Sequence, residues 1–230
     1  MNAQVTLPEL QRRMVAIGRF LHGRAWVAGC EGNATALTAD GRLLATPGGA
    51  SLGDVREGDL LLLDRFGRKV QGAGEPFAEL PMHLAVYRGR ADVGAVVHAH
   101  PPVASAFAAA GLPVEARFLA EFVVELGGVV PLVPFALPGS EASAQGLADF
   151  LEPFDAVLLT GNGVLAWGPD LSTATRRIEH VEAAAALLRD ARALGGPNAL
   201  PDEVVSLLLD ARTNAGLGPS GRARARARKA

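Results

Sequence analysis

Two histidines, His98 and His100, stand one residue apart at the end of the apolar run VGAVVHAH. In an extended strand alternate side chains share a face, so both imidazoles project the same way. Neutral imidazole is a common ligand of divalent metals, and such a pair would be half of a metal site. Two strand-end histidines that simply meet solvent have the same spacing, and spacing alone does not separate the readings. The upstream carboxylate that could join them is Glu79, which opens the helical stretch ELPMHLAVYRGR leading into the His98 strand. A helix N-terminus favours an acid there, whether as ligand, as general acid/base or as a plain helix-start charge. His83 lies one turn on and shares the helical face of Glu79; it reads more simply as an imidazole packed beneath that helix.

Two turns could meet a ligand. Gly29-Cys30-Glu31-Gly32-Asn33 precedes a strand, and Thr46-Pro47-Gly48-Gly49 follows one. Glycine lets the backbone approach closely, while Asn33 and Thr46 offer hydrogen bonds, a composition suited to an anion and equally to ordinary turns.

The elements that must position these residues follow from periodicity. Thr6-Leu7-Pro8-Glu9 has capping-box form, and Leu10, Met14, Ile17 and Leu21 continue a helix to about residue 22. NATALT and RLLAT predict two strands joined at Ala39-Asp40-Gly41, LLLLD a buried strand, and RFGRKV a hairpin returning from it. PVASAFAAAG and FLAEFVVELG read as helices, VVPLVPF as extended, and SEASAQGLADFL as one helix. DAVLLT and GVLAW form strands across Gly161-Asn162-Gly163, before a long helix over 171–194 and a last one over 201–212. Helices and strands mixed along the whole chain predict one layered α/β domain over residues 1–215.

The chain has 230 residues, enough for one well-buried core, and 49% of them are hydrophobic. No apolar run reaches the ~18–20 residues of a membrane span. The amino terminus lacks the order of a secretory signal, and Cys30 is the only cysteine, so a reducing cytoplasm is expected. Net charge is −2; removing the five cations of the tail, Arg222, Arg224, Arg226, Arg228 and Lys229, leaves −7 on the body. The basic tail, residues 216–230, is expected to be solvated and disordered rather than a nucleic-acid grip.

Taken in order, GN at 32–33, TPGG at 46–49, ELPMHLAVY at 79–87, VVHAHPP at 96–102 and LLTGNGVLAWG at 158–168 resemble the class II aldolase/adducin family. The resemblance spans roughly residues 7–195. It implies a three-layer α/β/α sandwich with a largely antiparallel central sheet, and a homotetramer with active sites between subunits. By position, His98 and His100 resemble the two histidine ligands of a zinc. Glu79 resembles the carboxylate that binds the resting metal and then moves protons. Gly32, Asn33, Thr46 and Gly48 fall where the family cradles a substrate phosphate.

The chain departs from that pattern at several points. Asn162 stands where the family has its third histidine, and a neutral amide oxygen is a harder, weaker zinc donor than imidazole. Manganese or magnesium thereby become competitors. Phe77 and Ala78 replace a phosphate-binding serine pair, and Gly48 replaces another serine, which points to an unphosphorylated substrate. Glu121 lies about where the fuculose enzyme carries a catalytic tyrosine and reads as a second acid/base or as a helix-surface charge. The implied activity is a divalent-metal-dependent aldehyde-lyase, cleaving a carbon–carbon bond of a small hydroxy-carbonyl compound through a metal-held enediolate. Epimerase, decarboxylase and dehydratase chemistry share that logic. The alternative in another class is a non-catalytic scaffold, as the adducin head domain is.

Overall fold

The computed structural model describes residues 5–227. Thr6 caps α1 (Leu7–Gly23) by accepting the Glu9 amide at 3.4 Å, while the Glu9 carboxylate turns to Arg12 and Arg13 instead of closing a capping box. Strands β1 (Asn33–Leu37), β2 (Leu43–Ala45), β3 (Leu61–Leu63) and β4 (Lys69–Gln71) follow as a meander. After α2 (Leu80–Gly89) come β5 (Ala95–Ala99), α3 (Pro102–Ala109), β6 (Val114–Glu115) and α4 (Ala120–Leu126). The second half holds β7 (Val129–Val130), β8 (Leu132–Val133), α5 (Glu141–Gln145), α6 (Ala148–Leu151), β9 (Ala156–Leu159) and β10 (Val164–Gly168). Three helices finish the described chain: α7 (Leu171–Ala193), α8 (Asp202–Asn214) and α9 (Gly218–Ala227).

Eight strands form one sheet in the order β4-β3-β2-β1-β5-β10-β9-β8, antiparallel except for the β8–β9 pair. Strand alternation divides its side chains between two cores. Ala34, Ala36, Val97, Leu158 and Ala166 pack with residues of α1, α3, α4 and α7. On the other face Val96, Val157, Leu165 and Trp167 pack with Met82 and Val86 of α2, and with Leu147 and Leu151. The result is the expected α/β/α sandwich.

Three sequence expectations change. VVPLVPF is not one strand: Pro131 has no amide to donate, and the chain crosses there from β7, paired with β6, to β8, paired with β9. SEASAQGLADFL breaks into α5 and α6 at Gly146-Leu147, where glycine weakens the helix and Leu147 is drawn fully into the core. The tail expected to be solvated from Gly216 is helical over Gly218–Ala227, and its Arg222 is buried; Arg228 and Lys229 lie outside the described residues.

Arg222 is buried because it joins a charged knot around Asp155, the residue just before β9. Asp155 is 5% exposed and pairs with Arg90 (2.9 Å), Arg177 (3.3 Å), Arg212 (3.1 Å) and Arg222 (3.2 Å). Arg90 also grips Asp92 and the carbonyls of Leu151 and Phe154, and Arg212 the carbonyls of Val124 and Glu125. Burial alone would raise the Asp155 carboxyl, but Arg177, Arg222 and Arg90 outweigh it and hold the group below its ordinary value. Asp92, likewise opposed by burial, is held down at about 2 by Arg90. Depressed carboxyls contribute stability that is complete above about pH 4 and is lost as pH falls through their folded values. Asp155→Asn leaves four buried guanidinium groups without their common counter-charge, and we expect a loss of about 3–5 kcal/mol in chemical denaturation. An unchanged denaturation midpoint would contradict this account of the knot.

Candidate active site

Register builds the site. β5 lies between β1 and β10, with His98 opposite Asn33 on one side and Leu165 on the other. His98 therefore sits in the middle of the sheet, 1% exposed, on the face covered by α2. His100 lies just past the strand end, where its amide donates to the Trp26 carbonyl at 2.7 Å, and its side chain is 24% exposed. The Nε2 atoms of the two imidazoles are 3.2 Å apart. Donors bound 2.0–2.1 Å from one tetrahedral zinc stand roughly 3.3–3.4 Å apart, so this half-site fits a shared divalent ion.

The turn that joins β9 to β10 leans on the pair. Gly163 has φ +70°, and a Cβ there would lie 2.5 Å from the Ala99 carbonyl and 2.6 Å from His100 Cδ2. Glycine is required for that approach. The main-chain carbonyl of Asn162 then accepts a hydrogen bond from His98 Nε2 at 2.8 Å. Asn162 borders a small neighbouring cavity with Met82, Val133, Pro134 and Thr160, and is not part of the wall of the His100 cleft.

That cleft has a volume of about 490 Å³ and is walled by the two glycine-bearing turns, by 75–79 and by His100. Glu79 is the residue before the first turn of α2, and its Oε2 accepts from Asn33 Nδ2 at 3.4 Å. Asn33 Oδ1 is buried without a protein partner among the described residues. No three His, Cys, Asp or Glu side chains among the described residues converge on one point, so Glu79, turned to Asn33, does not close a set with the histidines here.

Gly32 (φ +74°) lets the turn pass Val27 and the His98 carbonyl. The Thr46 hydroxyl accepts the Ala34 amide at 3.1 Å, tying its turn to β1 rather than lining the cleft. The Gly48 amide donates to the Glu75 carbonyl at 2.8 Å. Phe77 lies at the cleft with its ring against His83, 4.9 Å between centroids, and Ala78 beside it is exposed. Glu121 stands exposed in the first turn of α4, which packs on α7 and α8, away from its own chain's cleft wall.

Two features escaped the sequence reading. Glu31 Oε1 stands 3.7 Å from His100 Nδ1 and favours the proton there, leaving Nε2 as the donor atom. Its only signal was an acid inside a glycine-bearing turn. Beneath the cleft, the Thr35 hydroxyl joins His83 Nδ1 and the Tyr87 hydroxyl, each at 2.9 Å, so His83 is the packed imidazole its helix position suggested. Burial, and then nearby His98, push the His83 pKa well below the ordinary value.

Residues 12–188 match the family described as Class II Aldolase and Adducin N-terminal domain. The chain belongs to this family. It is similar to the 3-oxo-tetronate 4-phosphate decarboxylase of Escherichia coli (strain K12), 34% identical over 182 residues, 78% of this chain and 85% of the relative. It is also similar to the 5-deoxy-D-ribulose 1-phosphate aldolase of Bacillus thuringiensis serovar kurstaki, 27% identical over 198 residues, 86% and 92% of the two chains. Among solved structures, YgbL from Klebsiella pneumoniae superposes with a TM-score of 0.82 at 32% identity, covering 88% of this chain and 99% of that one. Family kinship accounts for the shared α/β fold.

Burial, and then His100, lower the His98 pKa to about 4, although the Asn162 carbonyl and Glu31 pull the other way. An unfolded histidine takes its proton near 6.5, so this burial loses stability as pH falls from about 6.5 towards 4. In proton-NMR titration of the metal-free protein, the His98 ring signals should show no step above about pH 5. A midpoint near 6.5 would mean that the ring is hydrated rather than buried.

Proposed function

We propose that this protein is a divalent-metal-dependent lyase acting on a small, unphosphorylated hydroxy-carbonyl compound. The observation that carries the reading is the pair of Nε2 atoms 3.2 Å apart, with His100 in the wall of a cleft that also holds the Glu79 carboxylate and His98 buried behind it. His98 and His100 would hold the ion, with Glu79 and Asn162 completing its shell, and zinc, manganese and magnesium are the candidates. When bound, the ion supplies Lewis acidity towards carbonyl and hydroxyl oxygens.

The chain's own residues do the rest. Glu79, held by the Asn33 amide, would take a proton from the substrate and return it. Asn33 Oδ1, buried and unpartnered among the described residues, is an acceptor ready for a substrate hydroxyl. Phe77 walls the cleft with apolar surface.

The cleft lining supports an unphosphorylated substrate. Glu31, Glu75 and Glu79 line it, and no lysine or arginine does so among the described residues. The two relatives named above bear names of phosphorylated substrates, so this chain would have diverged at that end of its cleft. Aldol cleavage, decarboxylation and dehydration remain within reach of the same groups. A homotetramer belongs to the same proposal on the family resemblance alone, and in it Glu121, which stands away from its own chain's cleft, would have to serve a neighbour's.

The test is exchange of the C–H proton beside the carbonyl in deuterated water, with metal supplied, on paired free and phosphorylated hydroxy-ketones. Exchange should favour the free compound, and Glu79→Gln should slow it by about 10²–10⁴-fold. Faster exchange of the phosphorylated partner would overturn the substrate class. Absence of exchange with every pair would point to a binding protein of the adducin kind.

A further inference from the structure

His98 Nε2 faces two atoms, His100 Nε2 at 3.2 Å and the main-chain carbonyl oxygen of Asn162 at 2.8 Å. Resting on the metal reading above, we propose that Asn162 joins His98, His100 and Glu79 on the ion through this main-chain carbonyl, not through its side-chain amide. The turn is built to aim it. The Asn162 amide donates to the Leu159 carbonyl at 2.8 Å, and the Leu159 amide donates to the Gly163 carbonyl at 2.8 Å. Gly161 (φ +66°) and Gly163 (φ +70°) flank the residue in the left-handed region, and Gly163 lies against His100. The carbonyl's position is therefore set by backbone conformation, whatever side chain stands at 162. The residue itself borders the separate cavity beside Met82 and Thr160 rather than the cleft.

In the metal-free protein, the His98 Nε2 proton occupies the space between ring and carbonyl. A cation that takes the Nε2 lone pair shifts the ring's proton to Nδ1, which is buried without a protein partner among the described residues. Donors on one tetrahedral ion are roughly 3.3–3.5 Å apart, so the imidazoles already stand near that spacing, and the carbonyl must swing off the ring's N–H axis to admit the ion. Carbonyl oxygen is a harder donor than imidazole, which narrows the advantage of zinc over manganese. The loss of a histidine at 162 is then compensated by the backbone and not by the replacing side chain.

Zinc titration calorimetry of the full-length protein, Asn162→Ala and His98→Ala tests this. Asn162→Ala should keep the wild-type affinity within about threefold, as for a substitution that touches nothing essential. His98→Ala should lose about a hundredfold or more. A tenfold or greater loss in Asn162→Ala would overturn the inference and make the amide the ligand. A second readout excludes water in its place: with a carbonyl-¹³C label on asparagine, the band absent from Asn162→Ala should move to lower wavenumber on adding zinc. A band that does not move overturns the inference. If wild type and His98→Ala alike bind no zinc, the metal reading falls, and this inference with it.

Discussion

The antiparallel pairing of β5 between β1 and β10 is the constraint on which the site depends. It buries His98 at the centre of the sheet, opposite Asn33, and leaves His100 at the strand end with its ring turned to the same side. A one-residue slip of β5 would send both imidazoles to the opposite face, among Ala34 and Ala166 of the neighbouring strands, because strand side chains alternate. Continuous burial on both faces of this central strand makes such a slip costly. The apolar alternation that specifies the core thus also aims the chemistry.

The buried knot secures the same elements at their other ends. α2 runs between Glu79 at the cleft and Arg90, β5 begins shortly after Asp92 and ends at the histidines, and β9 begins just after Asp155 and leads to the Asn162 turn. Fixing these far ends with paired guanidinium and carboxylate groups restricts how the cleft ends can shift. Arg212 and Arg222 extend the hold to α8 and α9, so the C-terminal helices are joined to the sheet through Asp155 rather than through a large apolar face. Buried ion pairs give little net stability over apolar packing, and their value here lies in fixing which ends meet.

Much of this was legible in the sequence. Strand alternation located β1, β2, β5, β9 and β10, and the spacing of His98 and His100 specified a shared face. Local signals failed where tertiary contacts decide. Nothing near Asp155 foretold four arginines from four distant segments, and a run of alternating Arg and Ala reads as solvated until a buried carboxylate is known to await one of them. The 140–151 helix and the 129–135 strand differ for a milder reason: Gly146 and Pro131 break a period that their apolar neighbours otherwise continue. At the site, residue identity told where Asn162 stands but not that its main-chain carbonyl bonds His98. Likewise the Thr46 hydroxyl was a plausible ligand by type, and its bond to the Ala34 amide removes it from the cleft. Side-chain chemistry can be read from letters; the direction in which a turn points its carbonyl cannot.

The central claim is that two imidazole nitrogens meet to share one divalent ion. Anomalous diffraction from crystals soaked in zinc, recorded on either side of the zinc edge, tests it most directly. The account predicts one zinc peak at about 2.1 Å from Nε2 of both His98 and His100. Crystals that show no peak between these rings, with the His98 to Asn162 hydrogen bond intact, would contradict it.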